Sequence, residues 1–131
     1  MSSTDYANQS PVEQLFAAFG SSELPLSKHS QALQASLVIY TGACYVTAIT
    51  INNTNAAAQF VQLFDATALP ADGVVPTMLL TVAASSDKFV TYPLPGRFFR
   101  TGVVVCNSST AATKTIGAGD CFFDVQYIPV T

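Results

Sequence analysis

Apolar residues along this chain gather in short β-prone runs separated by turn-forming residues, the pattern of strands. The runs 37–40, 45–51, 59–65, 78–82, 88–92, 98–106 and 121–128 are rich in Val, Ile, Phe, Tyr and Thr, residues that suit a pleated surface. Turn-forming stretches separate them at 41–42, 52–55, 70–73, 85–87, 93–96 and 107–119. The alternation is cleanest in the last run, with Phe123, Val125 and Tyr127 on one face and Asp124 and Gln126 on the other. The run 45–51 does not alternate cleanly, because Val46 and Ala48 are apolar as well. A strand apolar on both faces is either covered on both sides or lies at a subunit contact. Short strands at this spacing predict an all-β chain folded as a single antiparallel β-sandwich, jelly-roll-like, over residues 35–131.

The first 34 residues follow another rule. Ser10 is a good N-cap, Pro11 suits the first helical position, Glu13 completes a capping box and Gly20 is a natural stop. Val12, Leu15, Phe16 and Phe19 recur at the i, i+3, i+4, i+7 spacing of one helix face. The pattern predicts one short α-helix over about 10–19. Isolated helices shorter than ~12–15 residues are marginal in water, so this one has to dock, on its own domain or on a neighbour. Pro25 breaks the pattern, and the polar residues 27–34 read as a linker or extended arm. The expected organisation is an N-terminal arm, 1–34, followed by the sandwich.

Composition changes the picture from fold to assembly. Charged residues make up 10% of the chain, against about 25% in an ordinary soluble domain. Between Lys28 and Asp65 only His29 can carry a charge, and only when protonated. Surface charge helps keep domains apart, so a chain this poor in charge is expected to show much of its surface to other protein. The apolar stretches 37–51 and 60–64 are the expected contact surface. The candidate interface residues are Tyr45, Thr47 and Ile49, with Arg97, Phe99 and Arg100, and Val12, Leu15, Phe16 and Phe19 on the arm. A lysine in place of Thr47 is expected to impair assembly more than folding.

The net charge of −3 and pI near 4.7 argue against nucleic-acid binding, and the five cations form no dense cluster. No window has the roughly 18 consecutive apolar residues of a membrane helix. The start of the chain, polar and without a basic or apolar block, does not read as a signal peptide, so assembly in a cytoplasm is expected. Cys44, Cys106 and Cys121 form no CxxC pair and read as buried free thiols, with a Cys106–Cys121 bridge as the alternative.

Catalytic chemistry is thinly supplied. His29 is the sole histidine and sits in the expected linker, which leaves no histidine-based triad or zinc site. Asp120 and Asp124 are the one close acidic pair. They could serve glycoside hydrolysis with a distant carboxylate, but Asp120 after Gly119, like Asp72 before Gly73, is a typical turn position. The 65–73 loop lacks the ligand spacing of a calcium site. Gly117 to Gly119 lacks the pattern of a phosphate loop and reads as a hairpin turn. Phe98 and Phe99, flanked by Arg97 and Arg100, could stack on a sugar or base. The plainer reading is one core and one interface residue, because neighbours in a strand face opposite ways. No catalytic residue, metal ligand or cofactor is expected.

The stretch from Asn52 to Asp65 (NNTNAAAQFVQLFD), followed by Leu69-Pro70-Ala71-Asp72-Gly73 and Val75-Pro76, resembles small all-β virion proteins of tailed bacteriophages. So does Arg97 to Thr110 (RFFRTGVVVCNSST) leading to Thr113-Lys114-Thr115. The resemblance covers roughly 36–128 and lies in strand order and turn placement. It implies a structural role with no catalytic residues: decorating or cementing a capsid, or forming part of a tail, usually as trimers. With the low charge, the all-β pattern and the arm, the leading expectation is a capsid decoration (cement) protein, a homotrimer bound to the major capsid protein on the virion surface. The rival expectations are a receptor- or glycan-binding module of a phage tail or head fibre, marked by an exposed aromatic cluster, and a small envelope hydrolase.

Overall fold

The computed structural model of the chain describes residues 25–130. The helix expected over 10–19, with Val12, Leu15, Phe16 and Phe19, lies outside them. The described residues form nine strands and no helix. These are β1 (Leu26–His29), β2 (Ser36–Thr41), β3 (Cys44–Asn53), β4 (Gln59–Phe64), β5 (Met78–Val82), β6 (Ser86–Thr91), β7 (Arg97–Phe99), β8 (Gly102–Ser108) and β9 (Cys121–Pro129). Sheet A has the order β1-β9-β3-β6, with β7 continuing the β6 side of β3, and sheet B has the order β2-β8-β4-β5. Every named pairing is antiparallel. The two sheets make a β-sandwich, and all but two of the connections between successive elements, β4 to β5 and β6 to β7, cross from one sheet to the other.

The core lies between the sheets. Ile39, Val46, Ile49, Ile51, Val61, Leu63, Phe99, Val103, Val105, Phe123 and Val125 fill it. Phe123, Val125 and Tyr127 point inward and Asp124 and Gln126 outward, as the alternation in β9 requires.

Three features of the chain depart from the sequence expectations. The first is where the sandwich begins. Residues 26–29 are the edge strand of sheet A, paired with β9 from Leu26↔Tyr127 to His29↔Asp124. The polar stretch read as linker is therefore extended and docked on its own domain. Its exposure on all four residues explains why no apolar alternation marked it: an edge strand contributes backbone pairing more than core.

The second is a bulge in β3. The register with β9 runs Val46↔Tyr127 and then Ala48↔Gln126, which leaves Thr47 without an opposite residue. One extra residue reverses the facing of everything after it. Val46 and Ile49 thus both point inward, and this is why the run 45–51 does not alternate.

The third is a break in the run 98–106. It is not one strand: β7 belongs to sheet A and β8 to sheet B. Between them the chain turns at Arg100 and Thr101, and the Asp65 carboxylate at the end of β4 accepts four hydrogen bonds there. These come from the backbone N–H of Arg100 (3.0 Å), Thr101 (2.8 Å) and Gly102 (3.4 Å) and from the Thr101 hydroxyl (2.8 Å). Gly102 has no room for a side chain, since a Cβ would lie 2.6 Å from the Ala66 carbonyl oxygen and 2.7 Å from that of Tyr40.

Over β4 and β8 the outward face of sheet B is covered by the chain's own loops, while Leu79 on the edge strand β5 stays exposed. Phe64, Val104 and Cys106 form a second buried cluster with Val38 and Ala66, on the opposite side of β4 and β8 from Leu63, Val103 and Val105. The Gln62 amide donates to the carbonyls of Thr110 (2.9 Å), Ala111 (3.0 Å) and Thr113 (3.2 Å), drawing loop 109–116 over the sheet. Lys114, almost fully buried, pairs with Asp72 at 2.5 Å. The backbone N–H of Gly73 donates to the Lys114 carbonyl, and that of Lys114 to the Val74 carbonyl. Loops 65–77 and 109–116 therefore form one lid, which is why every residue of β8 is buried.

Candidate assembly surface

Among the described residues nothing covers sheet A in this way over β6 and the start of β9. Its outward positions follow from the register: Asn52 lies between Phe122 and Asp87, Thr50 between Asp124 and Phe89, and Ala48 between Gln126 and Thr91. The small side chains of Ala48 and Thr50 leave a shallow depression bounded by Ser27, Phe89, Asp124 and Gln126. Phe89 is 66% exposed and Phe122 41%. A single exposed apolar residue is ordinary, but several on one face mark an interaction site.

At the far end of the same face the Tyr45 and Phe98 rings pack at a tilt, with centroids 5.2 Å apart and planes at 51°. Cys44 and Phe99 are opposite each other and point inward, so Tyr45 and Phe98, one step along, point outward. The Phe98–Phe99 pair is thus one outward and one core residue. The loop 92–96 between β6 and β7 carries Pro93 and Pro95 and an exposed Leu94. The prolines supply no N–H to the edge, which limits strand addition there.

The expected interface residues divide. Ile49 and Phe99 are sealed in the core of the single chain, and no neighbour can reach them; the bulge at Thr47 is what turned Ile49 inward. Thr47 is also buried, its hydroxyl 3.3 Å from the Gln126 carbonyl oxygen and its own carbonyl accepting the Tyr92 N–H at 3.0 Å. Tyr45 lies half-buried on the outward face, and Arg97 and Arg100 are exposed at the β7 side. The stretch 60–64 lies under the lid apart from a half-buried Phe60, so it is not an open surface. Phe89 and Phe122 were missed. The alternation in β9 that placed Asp124 outward also places Phe122 outward, and in β6 the exposed residues Asp87, Phe89 and Thr91 take every second position.

The candidate catalytic groups are occupied structurally. Asp120 accepts from the amides of Asn55 (2.6 Å) and Asn107 (3.2 Å), and its carbonyl takes the Thr54 N–H and hydroxyl. It anchors a turn, as does Asp72. Asp124 stands on the outward face opposite His29 and Thr50. Gly117 is not in a hairpin turn: its N–H donates to the Asn107 carbonyl, and the Asn107 amide reaches the Ala118 carbonyl, pinning the 109–119 loop to the end of β8.

All three cysteines are free and buried, and no Cys106–Cys121 bridge is present. Burial pushes the Cys44 and Cys106 thiols up to about 11 and that of Cys121 to about 12, which makes them inert toward oxidation and metal. Partial desolvation raises the Asp65 carboxyl, but the N–H groups and hydroxyl aimed at it outweigh this and hold it below its ordinary value. Asp72 is held low by the Lys114 ammonium first and by the Ile116 N–H second. Among the described residues no group of His, Cys, Asp and Glu is placed to hold a metal ion.

No protein-family model and no curated protein matches the chain. Among solved structures it is similar to the coat protein of Tobacco streak virus, with a TM-score of 0.36 and 9% identity over 82% of this chain and 88% of that one. At that score and identity the likeness says nothing about what this chain does.

Proposed function

We propose that the chain is a virion structural protein of the decoration (cement) type, a jelly roll that assembles as a homotrimer on a phage capsid and ties major capsid proteins together, with no enzymatic activity of its own. The observation that carries this reading is the contrast between the two sheets. Sheet B covers β4 and β8 with a lid and leaves Leu79 open on its edge strand, whereas sheet A leaves the larger Phe89 and Phe122 bare beside Ala48 and Thr50. An apolar surface that no described residue covers supports a contact with protein. The order β1-β9-β3-β6 over β2-β8-β4-β5 is that of a jelly roll, an architecture shared by capsid proteins, lectins and cupins, and it suits the role.

The contact is between copies of this chain. Only Asp87, Asp124 and His29 among the outward residues of these strands can carry charge, so like-charge repulsion is small. Light scattering on the purified protein, with co-sedimentation on capsids lacking it, tests the reading. A stable oligomer that binds capsids supports it. A monomer that ignores capsids overturns it, and glycan binding lost in Phe89→Ala replaces it with the receptor-binding reading.

A further inference from the structure

Two of the chain's three lysines sit on the rims of the sandwich. β1 and β6 are the outer strands of sheet A, and β2 and β5 those of sheet B. An outer strand presents unpaired N–H and C=O groups to any strand that comes alongside. A chain with 10% charged residues has little general repulsion to prevent this. Lys28 lies on β1 and Lys88 on β6, while Lys114 belongs to the lid.

Lys28 and Lys88 both stand at inward positions. Lys28 is opposite Val125 and Lys88 opposite Ile51, and both of these partners are fully buried in the core. Residues directly opposite each other share a face of the sheet, so each lysine leaves its strand on the core side. Val90, two positions after Lys88, packs against the core as that register requires. Lys88 is half-buried, and its ammonium crosses the open side of the sandwich to the Thr81 carbonyl of β5, 3.1 Å away. One side chain thus joins the outer strands of both sheets. Among the described residues that carbonyl is its hydrogen-bond partner.

We infer that Lys88 guards the β5–β6 side of the sandwich against strand addition by a second copy of this chain. A strand laid along either edge covers the mouth between the sheets and strips water from the ammonium. Three N–H donors then share one carbonyl, and a buried charge so poorly paired is costly. A neutral side chain of the same length removes that cost and leaves the edges free to pair. The remaining rims are interrupted in other ways. The ladder of β2 with β8 shifts register between Val38 and Tyr40, and Pro93 and Pro95 follow β6. The inference stands apart from the virion reading, since it concerns an edge rather than the open face of sheet A.

Light scattering over a range of concentrations on wild type, Lys88→Met and Lys88→Arg tests it. Lys88→Met keeps the straight stem and loses the charge, whereas Lys88→Arg keeps the charge. The expected result is a folded Lys88→Met protein whose mass rises with concentration to roughly twice that of the wild type or more, and a Lys88→Arg protein of wild-type mass. The readout is the difference from wild type, whatever mass the wild type has, so it is separate from the outcome for the sheet A face. Hydrogen exchange locates the new contact: the amides of 78–82 and 86–91 should exchange about tenfold slower in the associated form. Lys88→Thr, whose β-branched side chain suits a strand, replaces Lys88→Met should that variant not fold. A folded neutral variant that keeps the wild-type mass overturns the inference. So does a Lys88→Arg protein that associates in the same way, or an association whose protection lies outside β5 and β6.

Discussion

The Asp65 carboxylate receives the backbone N–H of Thr101 at 2.8 Å, although 36 residues separate the two in sequence. This contact turns the chain out of sheet A and into sheet B between β7 and β8. Asp65→Ala removes the acceptor for four donors. The site is exposed, so water replaces part of what is lost, and the expected cost is about 1–2 kcal/mol in denaturant unfolding.

The same carboxylate predicts a pH dependence of definite sign. Asp65 and Asp72 both have folded-state values below the ordinary 3.8. Their contribution is complete above the unfolded-state value and is lost as pH falls through the lowered folded values, because the unfolded chain then binds protons more readily. Thermal unfolding followed downward from about pH 5 should show the wild type losing stability below 3.8. The gap between wild type and Asp65→Ala should narrow over that window; a constant gap contradicts the role given to this carboxylate.

Lys114 locks the lid on sheet B. Lys114→Ala leaves Asp72 without its ammonium partner and weakens the join between loops 109–116 and 65–77, which the backbone bonds of residue 114 to Gly73 and Val74 then hold alone. Cys106, beneath that lid, should then react with a thiol reagent faster than in the wild type, while Cys44 and Cys121 stay slow. The expected loss of stability is about 1–2 kcal/mol. Equal labelling of all three thiols would mean that the lid does not open as a unit.

Gly102→Ala places a methyl group 2.6 Å from one carbonyl oxygen and 2.7 Å from another. Both are backbone, so neither can swing aside. A loss of about 2–4 kcal/mol is expected, in line with overpacking at a rigid site, and a variant as stable as the wild type would show that the β7–β8 turn is slack.

The strands were legible wherever one side of the run faced the core, as in β9 with Phe123, Val125 and Tyr127. They were illegible where the backbone departed from strict alternation for reasons that lie far away in sequence. The bulge at Thr47 depends on the register with β9, and the break at Arg100 depends on Asp65. Strand β1 contributes pairing and almost no burial, so composition could not mark it. The same three causes misplaced the candidate surface: Ile49 and Phe99 are core, Thr47 is buried, and the exposed aromatics are Phe89 and Phe122. A lysine replacing Thr47 would therefore be expected to damage folding first, by putting a charge into the β3 bulge, and is no longer the informative probe of assembly. Phe89→Asp is, because the site is open and a surface change of this kind is usually worth no more than about 0.5 kcal/mol in the isolated fold.

Light scattering on wild type and Phe89→Asp, run at matched concentration, bears most directly on the claim that sheet A is an assembly face. The wild type should show about three times the 13.8 kDa chain mass and the variant a single chain with an unchanged melting temperature. A wild-type monomer, or a variant that assembles as well as the wild type, would contradict the claim.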